Sequence, residues 1–262
     1  MEHPFTWYNL LPAALQHAMG EHTLFALVVA VLLLLFAYAA RGALAKAADP
    51  LVPAAELGSR NIAELSLQLV ISQSDQIIGK QGRKYVPFFA TFFIFILSSN
   101  LLGLLPGFAP PTGNLNTTLG LAICSFIGYN VIGVREQGRA YFKHFIGPMT
   151  GLPATSILGK LAFLPVLLLS AVFFFILEIF SHGFRPVSLS LRLFGNMMGD
   201  HEVITAFIKL TKVVVPVAFY ALGTLVAVIQ AFVFTLLSMI YVALAISHGH
   251  DEEHGREAHS SH

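Results

Sequence analysis

The chain has 262 residues, of which 56% are hydrophobic and only 11% charged, with a formal net charge of +1. Soluble domains carry roughly 25% charged residues, so this composition and a mean hydropathy of +0.73 imply an all-α polytopic membrane protein. The small net charge argues against a nucleic-acid partner, which needs a clustered basic face, and the single cysteine, Cys124, excludes an internal disulfide.

In chain order, residues 1–22 contain no Lys or Arg. A secretory leader needs a positive n-region, so the apolar run 23–40 is expected to be a retained span behind an extracytoplasmic N-terminus. Residues 41–84 carry Arg41, Lys46, Arg60, Lys80, Arg83 and Lys84, which places this loop in the cytoplasm. Within it, residues 59–78 set Ile62, Leu65 and Leu69 at helical spacing among polar residues. That pattern predicts an interfacial helix lying on the membrane, with a frayed linker as the alternative. Runs 85–105 and 117–134 are each long enough to cross a hydrocarbon core that takes about 20 residues of helix. The uncharged connection 106–116 belongs outside, and Arg135, Arg139, Lys143 and Lys160 return the chain to the cytoplasm.

The remainder is less ordinary. Residues 161–184 are apolar except for Glu178 and His182, residues 186–199 except for Arg192, and residues 213–247 carry no charge at all. As helix the last run would extend ~50 Å at ~1.5 Å per residue, far more than the bilayer, so it must tilt or break. The reading that keeps the C-terminus cytoplasmic makes 161–209 and 213–247 two very long, strongly tilted helices, with Pro186 bending the first without ending it. About five crossings result, in a membrane domain of residues 23–247 followed by a polar tail, 248–262.

Arg192 is the residue to explain. A guanidinium cannot shed its proton, and an intramembrane charge costs from a few to over ten kcal/mol unless it faces a cavity or a partner. One reading is a snorkelling anchor near the start of a separate helix. The other takes its neighbours into account. Ser188, Arg192, Asn196 and Gly199 fall on one helical stripe, and the small residues Ser188, Gly195 and Gly199 would let another helix approach closely. Glu178 lies ~40° from the same stripe and ~21 Å back along a straight helix. Asp200, His201 and Glu202 follow on the far side. A carboxylate, a fixed cation and an acid/imidazole cluster, in that order, suit a proton path that enters from each face and is blocked in the middle. A permanent positive charge repels free protons and lowers the pKa of a carboxylate brought beside it. No such mobile acid is evident in these spans, so it should belong to another subunit.

The stretch "SLSLRLFGNMMGDH" (188–201) resembles the signature of subunit a of F-type ATP synthases, the stator half of the proton channel. The similarity extends through "LSSNLLGLLPG" (97–107), the run from 163 to 196 that includes "ILEIFSHGFRPVSLSLRLFGN", and "IQAFVFTLLSMIYVALA" (229–245). By that resemblance Arg192 is the essential arginine facing the proton-carrying carboxylate of the c-ring. Asn196 matches the asparagine one turn on, and Gln230 the glutamine of the last helix that lies opposite the arginine. Glu178 matches a glutamate of the cytoplasmic half-channel, and His201 stands where the family has glutamate or histidine in the periplasmic one. The partners implied are the c-ring, the b subunits of the peripheral stalk and membrane lipid, in a bacterial inner membrane. No cofactor and no metal are implied, and ATP chemistry belongs to other subunits.

Two positions depart from the family pattern. Gly103 stands where several bacterial members have aspartate, and Gly223 where many have histidine or glutamate. Asp200, Glu202, Asn100 and Asn116 are the candidate substitutes in the outer half-channel. Successive residues of a helix point about 100° apart, so Asp200, His201 and Glu202 cannot all line one channel; His201 with Glu202 is the pair expected. Asn100 and Asn116 have turn and cap roles as alternatives, and His182 either aids proton exit or marks a polar helix face. Lys209 and Lys212 are expected at the outer interface. The tail "HGHDEEHGREAHSSH" is expected to be a solvated, disordered segment, a metal-binding tract being the alternative. A free-standing transporter is disfavoured because no repeat is evident. A haem or metal enzyme is disfavoured because the run 213–247 has no histidine to face His182 or His201.

Overall fold

A computed structural model describes residues 6–45, 58–138, 157–210 and 214–260, all of whose regular elements are helical. A single 3₁₀ turn, Trp7–Leu10, precedes the short α1 (Ala13–Ala18) and then α2 (Glu21–Ala45), α3 (Ser59–Ile77), α4 (Val86–Leu102), α5 (Leu115–Gln137), α6 (Ile157–Leu210) and α7 (Val214–Ser260). In hydrocarbon every backbone N–H and C=O must bond within its own segment, which is what selects helices here. Among the described residues, α2, Lys80–Leu102, α5 and Pro216–Ile246 are long and apolar enough to cross a membrane. The chain is an all-α, multi-pass membrane protein.

The helix ends follow local chemistry. Gly79 after α3 and Gly138 after α5 take φ of 84° and 58°, a left-handed stop that glycine adopts without a Cβ clash. Pro87 sits in the first turn of α4, where its missing N–H is no loss. The Asn114 side-chain oxygen accepts the backbone N–H of Asn116 at 2.9 Å, capping α5. α4 stops at Leu102, three residues before the expected end, and Gly103, which follows it, packs closely against Pro110.

The two long apolar runs each form one continuous helix, 54 and 47 residues long, so Pro186 interrupts α6 no more than expected. The tail differs from expectation: its backbone stays helical through Ser260. Lys46, Arg139, Lys143, Lys212 and the last two residues lie outside the described residues, as do the side chains of Lys160, Glu178 and Lys209.

The chain packs as two compact units. The first draws on Met1–Leu121 and Leu189–Ile240. Its core is α4, with Phe89 and Ile96 fully buried, against Leu193 of α6 and Phe234 of α7. The Phe92 and Phe234 rings meet at 5.5 Å. On α7, Gly223, Ala227 and Ala231 recur every four residues and are all buried, a small-residue face that lets helices approach where lipid removes the hydrophobic drive for association. Asn100 sits at that approach, 1% exposed. Its amide donates to the Ala227 carbonyl at 3.3 Å, and its oxygen accepts the Thr112 hydroxyl at 2.7 Å. α2 is mostly exposed, with Leu34 at 71%, as a lipid-facing helix should be. α3 forms as expected and turns Val70 and Ser74 inward, while Ile62, Leu65 and Leu69 face outward. Asp75 and Arg83 pair at 2.7 Å where the chain leaves α3, and that hydrogen bond holds the Asp75 carboxyl below its usual range.

The second unit draws on Ala122–Ser188 and Tyr241–His262. Among its described residues Tyr129 of α5 is the largest fully buried side chain, at 1% exposure, and its ring lies 5.8 Å from that of Tyr241. The Gln137 amide donates to the carbonyls of Ala245 and Ile246 at 2.6 and 3.2 Å, tying the end of α5 to α7.

Asn100→Leu leaves the Thr112 hydroxyl without its buried acceptor. The expected loss is about 1–3 kcal/mol, read as a lower thermal midpoint for the chain in the purified complex; an unchanged midpoint would show that the bond is dispensable.

Candidate functional site

Residues 188–204 of α6 divide into two faces. Leu189, Ser190, Leu193, Met197 and Ile204 are buried in the first unit, and the Ser190 hydroxyl lies 3.1 Å from that of Thr118 on α5. The other face carries Ser188, Leu191, Arg192, Gly195 and Gly199, all exposed. A Cβ added at Gly195 or Gly199 would meet nothing within 4 Å. Arg192 has no hydrogen-bond or ion-pair partner among the described residues, which leave its charge on an exposed face of small and apolar neighbours.

One turn on, the Asn196 amide donates to the Gln230 side-chain oxygen at 2.7 Å. Gln230 is 3% exposed, and its Nε2 is buried without an acceptor among the described residues. The sequence expectation set Gln230 opposite Arg192; the bond it makes here is to Asn196.

A cavity of about 240 Å3 lies in the same unit, lined by Asn100, Met197, Asp200, His201, Ile204 and Tyr220 among others. Asp200 turns into it, and its Oδ2 is buried with no hydrogen-bond partner among the described residues. Glu202 is exposed and does not line the cavity, because one further step of about 100° carries it off that face. The structure therefore brings Asp200, not Glu202, together with His201. Asn116 is exposed in the first turn of α5 and also stays outside the lining, whereas Asn100 both borders the cavity and braces the core. Gly103 and Gly223, where the sequence resemblance implies a departure from the family pattern, line this same cavity.

In the second unit, His182 is buried, and its Nδ1 lies 3.2 Å from the Tyr129 hydroxyl. Arg185 holds its guanidinium 6.0 Å from the centre of the Tyr129 ring and 5.3 Å from that of Tyr241, within cation–π range. Sequence reasoning missed Tyr129, Tyr241 and Arg185. A tyrosine inside an apolar run carries no spacing signal; Arg185, three residues after His182, did carry one.

The sequence model of the ATP synthase A chain family matches residues 23–243. This chain belongs to the ATP synthase A chain family. It is similar to ATP synthase subunit a of Bdellovibrio bacteriovorus, 42% identical over 247 residues that span 94% of this chain and 99% of the relative. It is also 45% identical to ATP synthase subunit a 1 of Syntrophotalea carbinolica over 193 residues, 74% of this chain and 75% of that one. ATP synthase subunit a 3 of Pelobacter propionicus is 38% identical over 255 residues, covering 95% of this chain and all of that one. The chain is accordingly a membrane-sector subunit of an ATP synthase that assembles with other subunits of that complex.

Gly103 and Gly223, both in the cavity wall, differ in how much they tolerate. A Cβ at Gly103 would lie 2.3 Å from Cβ of Pro110, whose ring cannot yield, whereas at Gly223 it would meet only the Leu104 and Ile204 side-chain ends at 3.0 and 3.4 Å. Gly103→Ala should sharply lower the amount of this subunit in the membrane. Gly223→Ala should leave it near normal, since alanine also regains about 1 kcal/mol of helix propensity. Immunoblotting both variants checks the order, and the reverse order would contradict the packing described.

Proposed function

We propose that the chain is the non-catalytic stator of proton translocation, with Arg192 separating two half-channels that serve a carboxylate carried on a rotating c-ring. The observation that carries this reading is the exposure of Arg192. A guanidinium that cannot neutralise stands, without a partner among the described residues, on an exposed helix face whose neighbours are glycine, serine and leucine. Left in lipid it would cost several kcal/mol at least, and a close-packed helix bearing a carboxylate removes that cost.

Protons enter through the cavity holding Asp200 and His201 and load the ring carboxylate, which rotates through lipid as a neutral acid. They leave by the path on which Glu178 and His182 stand, where His182 is hydrogen-bonded to Tyr129. The emptied carboxylate then passes Arg192 as an anion, and the fixed charge keeps protons from crossing directly between the two paths. Asn196 and Gln230 form a rigid amide pair beside that passage. Each proton moved supplies about 2.3 kcal/mol per 100 mV of membrane potential. Asp200 takes over the outer carboxylate role that the sequence reading gave to Glu202. ATP chemistry occurs on other subunits, and the peripheral-stalk b subunits hold this one still. The subunit spans the bacterial inner membrane with its N-terminus outside and its C-terminus in the cytoplasm.

ATP-driven proton pumping and passive proton leak in sealed vesicles of the whole complex test this reading. Arg192→Ala should abolish pumping at normal assembly and raise the leak, and normal pumping would return Arg192 to a snorkelling anchor. Asp200→Asn should cut pumping several-fold while Glu202→Gln leaves it near the native rate.

A further inference from the structure

Residues 6–19, which contain no Lys, Arg, Asp or Glu, form a cross-braced knob. The Tyr8 hydroxyl lies 2.8 Å from the carbonyls of both Gln16 and Met19. The Gln16 amide returns to the carbonyls of Tyr8 and Leu11 at 3.2 and 2.9 Å. The Thr6–Trp7 side of this knob sits on the turn that forms one wall of the Asp200 cavity. The backbone N–H of Trp7 donates to the Gly107 carbonyl at 3.0 Å, and Thr6 itself lines the cavity beside Leu105, Pro106, Gly107 and Phe108.

Gly107 has a φ of 85°, and a Cβ there would lie 2.6 Å from the Trp7 indole nitrogen and 2.8 Å from Cδ1. The indole thus occupies the space a Cβ at position 107 would need, and glycine suits both the conformation and the approach. Trp7 remains 50% exposed, so burial in a core does not account for its place. Interfacial anchoring, a common use of tryptophan in membrane proteins, would require neither the glycine nor the bond to Gly107.

We infer that the N-terminal knob is part of the outer half-channel. Thr6 and Trp7 complete its rim, and the indole positions the 103–110 turn so that Asp200 and His201 are reached through a narrow opening. The inference rests on the outward-facing reading of this cavity given above. Trp7 acts through the turn and is a positioning residue, not a proton carrier.

The test is the rate at which a cationic, membrane-impermeant methanethiosulfonate labels Thr205→Cys on the cavity wall. It is run in the whole complex with Cys124→Ser, on intact cells and on inverted vesicles, with ATP-driven pumping as the assembly control. Trp7→Ala should raise the rate from the outside about tenfold, the effect expected for losing an aromatic contact. Gly107→Ala, which disturbs the same contact from the other side, should do likewise, and Trp7→Phe should restore the native rate. Equal rates from outside in all these forms would overturn the rim while leaving the outward half-channel intact. Labelling only in inverted vesicles would overturn the outward reading, and the rim with it.

Discussion

The constraint on which the rest of this molecule depends is a positive charge that cannot be removed. Lysine or histidine in an apolar setting can release a proton and become neutral; arginine cannot. The fold accepts Arg192 by keeping its side of α6 bare. The opposite side, through Leu189, Ser190, Leu193 and Met197, is packed against the chain, while Ser188, Gly195 and Gly199 leave the arginine's side low and open. A helix with one finished face and one unfinished face is half of an interface.

Holding such a helix in place calls for specificity more than for apolar contact, because lipid offers apolar contact everywhere. The first unit supplies that specificity with a few buried polar bonds. Thr118 meets Ser190, Asn196 meets Gln230, and Asn100 meets both Thr112 and the Ala227 carbonyl. Gly223, Ala227 and Ala231 bring the backbone of α7 close enough for the Asn100 bond to form. The same closeness shapes the cavity beside Asp200, so the packing that holds this helix also sets the surroundings of that carboxylate. A buried carboxylate oxygen without a partner among the described residues is costly unless water or a proton reaches it, and the proposed proton-entry path would supply both.

Most of the fold was legible in the sequence because the bilayer reduces the choices to helix length and charge placement. The spans at α2, α4 and α5, the α3 helix and the two long helices all followed from apolar runs and loop cations. The motif around Arg192 gave the family. What could not be read were consequences of tertiary placement. Asp200 and Glu202 are chemically alike and two residues apart, and only the direction of α6 against the 103–110 turn decides which one enters the cavity. Asn100 and Asn116 had the same two readings, and packing assigned one to the core and the other to a helix start. The pairing of His182 with Tyr129 joins residues 53 apart, with no local signal. The polarity of the tail suggested disorder, whereas its backbone continues the last helix through Ser260.

The central claim is that the bare face of α6 around Arg192 is covered by the ring helix that carries the ion-binding carboxylate. Disulfide trapping in the assembled complex tests this most directly. Single cysteines at Leu191, Gly195 and Leu193, in a Cys124→Ser background, would each be paired with a cysteine placed beside the ring carboxylate. Leu191 is 52% exposed and Leu193 fully buried, so the account predicts cross-links from Leu191→Cys and Gly195→Cys and none from Leu193→Cys. Cross-linking from Leu193→Cys alone would contradict it, because the ring would then face the side of α6 assigned here to the subunit's own core.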